Sequence, residues 1–232
     1  MLTIRHAEQR GHANHGWLDS YHTFSFGQYY DPRHMGVSNL RVINQDTVAP
    51  RGGFASHGHR DMEIVSYVLS GALAHRDSMD NGSVIRPGDV QRMSAGTGVL
   101  HSEFNPSAEE AVQFLQIWLQ PNRLGIEPGY AQKHFAPAER RGQLRLLVSP
   151  DGRDGSLSAH QDGLLYGTLL ESGETVAHPL ATGRTAYVHV ARGSVAVNGQ
   201  HLDAGDGASI EDATEVRIEG SASAEVLLFD LP

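Results

Sequence analysis

The chain predicts an all-β fold, two antiparallel β-barrel domains with few and short helices, and three observations carry that expectation. Runs of β-branched and aromatic residues are short and are cut at close intervals by turn signals. No stretch offers the helices of about ten or more residues that a doubly wound α/β sheet places between its strands. One set of turn landmarks occurs twice, in the same order and at nearly the same spacing. The 232 residues, with 26 glycines and 10 prolines, suit many strands and tight turns, and they suffice for one large β domain or two smaller ones.

Taken along the chain, the aromatic-rich run Tyr21 to Tyr30 reads first as core packing rather than as a substrate platform. Gly52-Gly53 supply the backbone freedom for a tight turn at a barrel end, just before His57-Gly58-His59. Ile64-Val65-Ser66-Tyr67-Val68-Leu69 reads as a buried strand that stops at Gly71, and Ala72 to His75 as the next. Asp80-Asn81-Gly82 and Pro87-Gly88-Asp89 are turns. Gly96-Thr97-Gly98 is a bend rather than a dinucleotide fingerprint, since it lacks the third glycine and the following helix. Gln120 to Gly142 is richer in Pro, Gly and charge and is read as the linker, with a short helix around Ala136 to Arg141.

The second copy begins where Tyr187-Val188-His189-Val190-Ala191-Arg192-Gly193 echoes Tyr67-Val68-Leu69-Ser70-Gly71. Leu202-Asp203-Ala204-Gly205-Asp206 then echoes Ile85-Arg86-Pro87-Gly88-Asp89. The expected domains are residues 1–130 and 131–232.

Composition removes several kinds of function. With 18 Lys+Arg against 27 Asp+Glu the formal charge is −9, and the basic residues are dispersed, so direct nucleic-acid binding is disfavoured. The chain has no cysteine, which excludes thiolate nucleophiles, iron–sulfur clusters and Cys-rich zinc sites. A single lysine, Lys133, leaves little room for Schiff-base chemistry or a P-loop. No Gly-x-Ser-x-Gly elbow or His-Glu-x-x-His helix is present. The start of the chain has no apolar targeting core and no segment approaches a membrane span, so the expected location is cytoplasmic.

What the sequence does offer is two pairs of metal-capable side chains at i, i+2 spacing: His57-Gly58-His59, and His101-Ser102-Glu103 about forty residues on. Successive side chains of a strand point to opposite faces, so a skipped residue puts both members of a pair on one face. Two such strands side by side would aim three imidazoles and one carboxylate at a single point, the donors a divalent transition metal takes. In the second copy, the offsets that lead back from Gly71 to His57 and His59 lead from Gly193 to Pro179 and Ala181, and no His-x-Glu pair follows Gly205. That barrel is expected to be metal-free. His75, His178, His189 and His201 have no partner spacing and receive no role.

Glycines before His-x-His, then Glu, a Pro-Gly-Asp turn and a further His together resemble the cupin superfamily, and the wording is closer still to pirin-like proteins. Gly16-Trp17-Leu18, His22-Thr23-Phe24-Ser25-Phe26, Tyr30-Asp31-Pro32 and Leu40-Arg41-Val42-Ile43-Asn44 carry the likeness. So do His57-Gly58-His59-Arg60-Asp61-Met62-Glu63, Asp77-Ser78-Met79, Met93-Ser94-Ala95-Gly96-Thr97-Gly98 and His101-Ser102-Glu103. The likeness is dense to about Trp118 and thin afterwards.

The resemblance implies a bicupin of two jelly-roll barrels, with the metal in the first, held by His57, His59, His101 and Glu103. In the broad cupin pattern the carboxylate ligand would be Glu63; pirin-like proteins use the His-x-Glu position, here Glu103. Glu63 is then expected to hydrogen-bond around the ligands. Phe26, Phe54 and Met93 are expected to line a substrate pocket. The donor set suits one divalent transition metal, Fe first, with Mn, Co, Ni, Cu or Zn as alternatives.

Some pirin-like proteins are quercetinases, so the implied activity is a 2,3-dioxygenase that opens the central ring of a flavonol such as quercetin and releases CO. Its partners would be the small-molecule substrate and O₂, with Glu103 as the base that takes a substrate hydroxyl proton. The resemblance also leaves open a redox-sensitive regulatory protein that binds a protein partner, or an enzyme acting on another enolisable or catechol-like molecule.

Overall fold

Strand Glu63–Ser70 shows how the sequence builds layers: every residue but the last is buried. Val65, Tyr67 and Leu69 point to one side, into the largest apolar cluster of the protein. Ile64 and Val68 point to the other side, into smaller clusters inside the first barrel. Strand Thr185–Arg192 repeats the scheme, with Tyr187 and Ala191 in the shared cluster and Ala186, Val188 and Val190 in the core of the second barrel. A strand covered on both faces reads as a continuous apolar run rather than an alternating one, which is why both stood out in the sequence.

The computed structural model describes all 232 residues. The first barrel sets a seven-stranded sheet, ordered Gly129–His134, Asp89–Ser94, Glu63–Ser70, Val112–Leu119, Leu40–Val48, Leu18–His22 and Gly11–Asn14, beside a four-stranded one. The smaller sheet runs Gly53–His59, Val99–Phe104, Leu73–Asp77, Gly82–Ile85. The C-terminal barrel has the same seven-plus-four division, and all strand pairs are antiparallel except Arg145–Ser149 with Leu157–Ser158; an isolated bridge, Arg141 to Leu169, is also parallel. The duplicated all-β fold is thus present, with helices confined to the turn of α-helix Pro137–Arg140 and two short 3₁₀ turns.

The echoed glycines occupy matching places. Gly71 (φ +74°) ends its strand against the carbonyl of Ala111, and Gly193 (φ +70°) ends its own against the carbonyl of Ser223. A Cβ would lie 2.7 Å from the first oxygen and 1.9 Å from the second, so both positions require glycine for space as well as for φ. Gly88 and Gly205, the second pair of landmarks, also have positive φ, at +94° and +88°.

The domain limits need correction at both ends. Leu2–Arg5 pairs with Gly207–Ile210 and belongs to the C-terminal sheet. Within the expected linker, Gly129–His134 pairs with Asp89–Ser94 and forms one margin of the first barrel's large sheet. A cut between residues 130 and 131 divides that strand. In each case the added strand covers a neighbour whose free N–H and C=O groups would otherwise seek partners.

The two large sheets face each other, and the shared cluster between them takes Phe24, Leu40, Val65, Tyr67 and Leu115 from one barrel and Tyr187, Leu227 and Phe229 from the other. At its rim Arg140 donates to Glu225 at 2.9 Å and to the hydroxyl of Tyr67, which itself donates to Glu225. No helix is long and apolar enough to cross a membrane.

Candidate metal centre

Strands Gly53–His59 and Val99–Phe104 pair antiparallel with His101 directly opposite His57 and Val99 opposite His59. A bulge between His101 and Glu103 shifts the register, so that Glu103 faces Phe54. The ring centroids stand 4.4 Å apart for His57 and His101, 4.8 Å for His59 and His101 and 4.9 Å for His57 and His59. One ring nitrogen from each of the three lies within 4.8 Å of the others. Imidazole nitrogens bound about 2.1 Å from one ion stand at most about 4.2 Å apart, so this cluster is close to ligating spacing.

The nitrogens are also free to ligate. His59 Nε2 and both ring nitrogens of His101 are buried without a hydrogen-bond partner. The carbonyl of Ala55 accepts from His57 Nδ1 at 2.8 Å, which fixes that tautomer and leaves Nε2 as the donor atom for a metal. Burial first, and then the neighbouring His57, push His59 down to about 4. Burial, followed by His57, His59 and His75, pushes His101 down to about 3. Buried, neutral, unpartnered imidazoles are costly unless something binds them, and a divalent cation fits that need.

Glu103 is buried on the same strand, but its carboxylate groups with His101 and His75 rather than with all three site histidines. It accepts from Ser66 Oγ at 3.2 Å and from Gln116 Nε2 at 3.0 Å. Gln116 is oriented in turn by the indole N–H of Trp118, 3.1 Å from its Oε1. Each carboxylate oxygen therefore carries one hydrogen bond and keeps capacity for a metal or a proton.

Glu63 does not take the part expected of it. Its carboxylate accepts from Ser94 Oγ at 2.8 Å, and none of the four site residues hydrogen-bonds to it. Burial raises its carboxyl above the usual range, against the pull of the Ser94 bond. The hydrogen bonds around Glu103 come from Ser66 and Gln116 instead.

His75, given no role in the sequence, is buried beside the site. Asp77 accepts from its Nε2 at 3.1 Å, Gln91 donates to its Nδ1 at 3.4 Å, and Tyr130 stacks on the ring at 4.9 Å. The signal was available: His75-Arg76-Asp77 has the same i, i+2 spacing as His57/His59 and His101/Glu103, and Glu103 lies opposite His75.

A cavity of about 820 Å³ opens over the centre, within the range of small-molecule sites. His57, His59 and Glu103 line it, with Phe26, Phe54 and Trp118 as apolar wall. Phe26 and Phe54 were expected there. Met93 was too, yet it is fully buried with Ile64, Ala95 and Val99 and does not reach the cavity. The run Tyr21 to Tyr30 divides: Phe24 is core, whereas Phe26 and Tyr29 line the cavity. Sequence reasoning also missed the polar residues Ser20, His22, Asn44 and Asp46 on its wall.

In the C-terminal barrel, Pro179 ends strand Thr175–Pro179, and the adjacent His178 is bound to Asp230 at 2.8 Å. Asp230 is shared with Arg184, so the histidine and carboxylate there are committed to one another.

Residues 3–119 match the family described as Pirin, and residues 146–231 match the family described as quercetinase C-terminal cupin domain. Over 232 residues the chain is 48% identical to the quercetin 2,3-dioxygenase of Escherichia coli (strain K12), covering 100% of this chain and 99% of that protein. It is 40% identical over 231 residues to a pirin-like protein of Caulobacter vibrioides, covering 99% of each. The crystal structure of YhhW from Escherichia coli matches with a TM-score of 0.97 at 48% identity, covering 100% of this chain and 98% of that one. The bacterial pirin YhhW in complex with nickel(II) matches at 0.96, again 48% identical, over 100% of this chain and 99% of that one.

Proposed function

The chain belongs to the pirin family of two-barrel cupins, and from that premise we propose that it is a metal-dependent dioxygenase that opens the central ring of a flavonol such as quercetin and releases CO. The observation that carries the reading is a cluster of buried, unpartnered imidazole nitrogens at the base of an aromatic-walled cavity of about 820 Å³. The relatives called quercetin 2,3-dioxygenase support the choice of substrate class.

His57, His59, His101 and Glu103 would hold the metal. Iron is our first assignment, and the nickel(II) complex of YhhW makes nickel the first alternative to test. When bound, the ion would supply Lewis acidity that lowers the pKa of a substrate hydroxyl and the electronic means to react with O₂.

The residues do the rest. Ser66 and Gln116 hold the Glu103 carboxylate, and its remaining lone pairs take the hydroxyl proton. Phe26 and Trp118, edge to face at 5.3 Å, and Phe54 present the apolar surfaces against which a flat ring system packs and from which water is displaced. Protein loaded with Fe(II) or Ni(II) should consume quercetin and O₂ and release CO, and His101→Ala should abolish this. Turnover no greater than that of the free metal would refute the reading.

A further inference from the structure

Asp46 is a second carboxyl on the cavity wall, alongside Glu103, and is not one of the residues that would hold the metal. It lies on strand Leu40–Val48, opposite Ser20 of strand Leu18–His22, and is 3% exposed. Ser20 Oγ is its one hydrogen-bond donor, although a carboxylate has about four acceptor sites. The next residue on the same face, Val48, is apolar core, so the barrel has no general need for charge there. Burial pushes the Asp46 carboxyl up to about 7; the Ser20 bond pulls the other way, and the charge of Glu103 adds to the rise.

The neighbouring wall has the same polarity. Asn44 Oδ1 accepts from His22 Nδ1 at 2.9 Å, which leaves His22 Nε2 as an acceptor. A buried, under-satisfied carboxyl facing a ligand cavity beside a free imidazole acceptor suits a ligand that brings its own O–H donors. Phe26, Phe54 and Trp118 ask the same ligand to be flat and aromatic.

We propose that Asp46 determines specificity by accepting a hydrogen bond from a second hydroxyl of an aromatic substrate whose first hydroxyl lies at the metal centre, so that the cavity selects polyhydroxylated over monohydroxylated aromatics. This rests on the flavonol reading for the placement of the first hydroxyl. Asp46 would act on binding, not on the ring-opening step.

The test is anaerobic equilibrium binding to the metal-loaded full-length protein, followed by ligand absorbance, with quercetin and with 3-hydroxyflavone, which lacks the additional hydroxyls. At about pH 8, where the Asp46 carboxyl is largely ionised, the wild type should prefer quercetin by roughly tenfold or more, the worth of one buried hydrogen bond to a charged group. Asp46→Leu should bring the ratio to about one, and Asp46→Asn, which keeps an acceptor oxygen, should retain part of it. Thermal melts confirm that each variant is folded.

A ratio unchanged in Asp46→Leu, an equal loss of both ligands, or no preference in the wild type overturns the proposal. The measurement needs no turnover. A wild type that shows the preference yet fails to cleave quercetin in air would overturn the proposed reaction and leave the role of Asp46 standing.

Discussion

Gln116 donates its side-chain amide to the Glu103 carboxylate at 3.0 Å, and the direction of that amide is set by Trp118, whose indole N–H occupies the Gln116 carbonyl at 3.1 Å. Partners that orient a ligand commonly contribute about 10–100-fold to metal affinity. Gln116→Leu should weaken metal binding by that order while leaving the three imidazoles in place. Chelator competition against the metal-loaded protein measures it. Unchanged affinity would mean that the orientation of Glu103 does not matter to the metal.

The contact between the barrels makes a different prediction. Arg140 is almost fully buried, and its Nη1 reaches both Glu225 and Tyr67, one group from each barrel. Removing one partner of such a set leaves an uncompensated buried charge and costs about 3–5 kcal/mol. Arg140→Met should lower the urea midpoint accordingly. Arg140→Met combined with Glu225→Met and Tyr67→Phe should recover much of the loss, because no stranded charge remains. If the triple variant is as unstable as the single one, the set contributes packing rather than electrostatics.

These two networks also mark what a single sequence reveals. The pairs His57/His59 and His101/Glu103 were legible because a strand repeats every two residues, so spacing alone fixes a shared face. The echoes around Gly71 and Gly193 were legible because the same close backbone approach demands glycine twice. Spacing does not give depth along a strand, and so Met93 went to the cavity when it belongs to the core. Nor does it say which layer a buried polar group meets: Glu63 reaches Ser94 rather than the four residues of the candidate site. Ser20, His22, Asn44 and Asp46 come from two strands separated by some twenty residues, and only the register Ser20 to Asp46 and His22 to Asn44 gathers them.

The two kinds of glycine can be separated by experiment. Gly16 has φ +81° with open space around its would-be Cβ, whereas Gly193 has φ +70° with the Ser223 carbonyl in the way. Gly16→Ala should cost only the left-handed conformation, about 1–2 kcal/mol. Gly193→Ala must also displace the start of strand Ala224–Leu231 and should cost more, beyond about 3 kcal/mol. Equal losses in chemical denaturation would remove the steric part of the argument.

His189 sits in the middle of strand Thr185–Arg192, fully buried, with neither ring nitrogen partnered. Burial, with a smaller push from Arg10, takes it down to about 3, against 6.5 for the free side chain. Below pH 6.5 the unfolded chain therefore takes up a proton that the folded chain refuses. Stability is complete above that pH and falls as pH drops towards the folded value. His59 and His101 add to the same loss in metal-free protein, and a bound metal would act against their share. At about pH 5 the His189 term alone is on the order of 2 kcal/mol. His189→Leu removes it, and with it two buried unpartnered nitrogens. The variant should therefore gain melting temperature over the wild type at about pH 5 by several degrees more than at about pH 8. A difference between the two proteins that does not change with pH would show that His189 is not what acid acts upon.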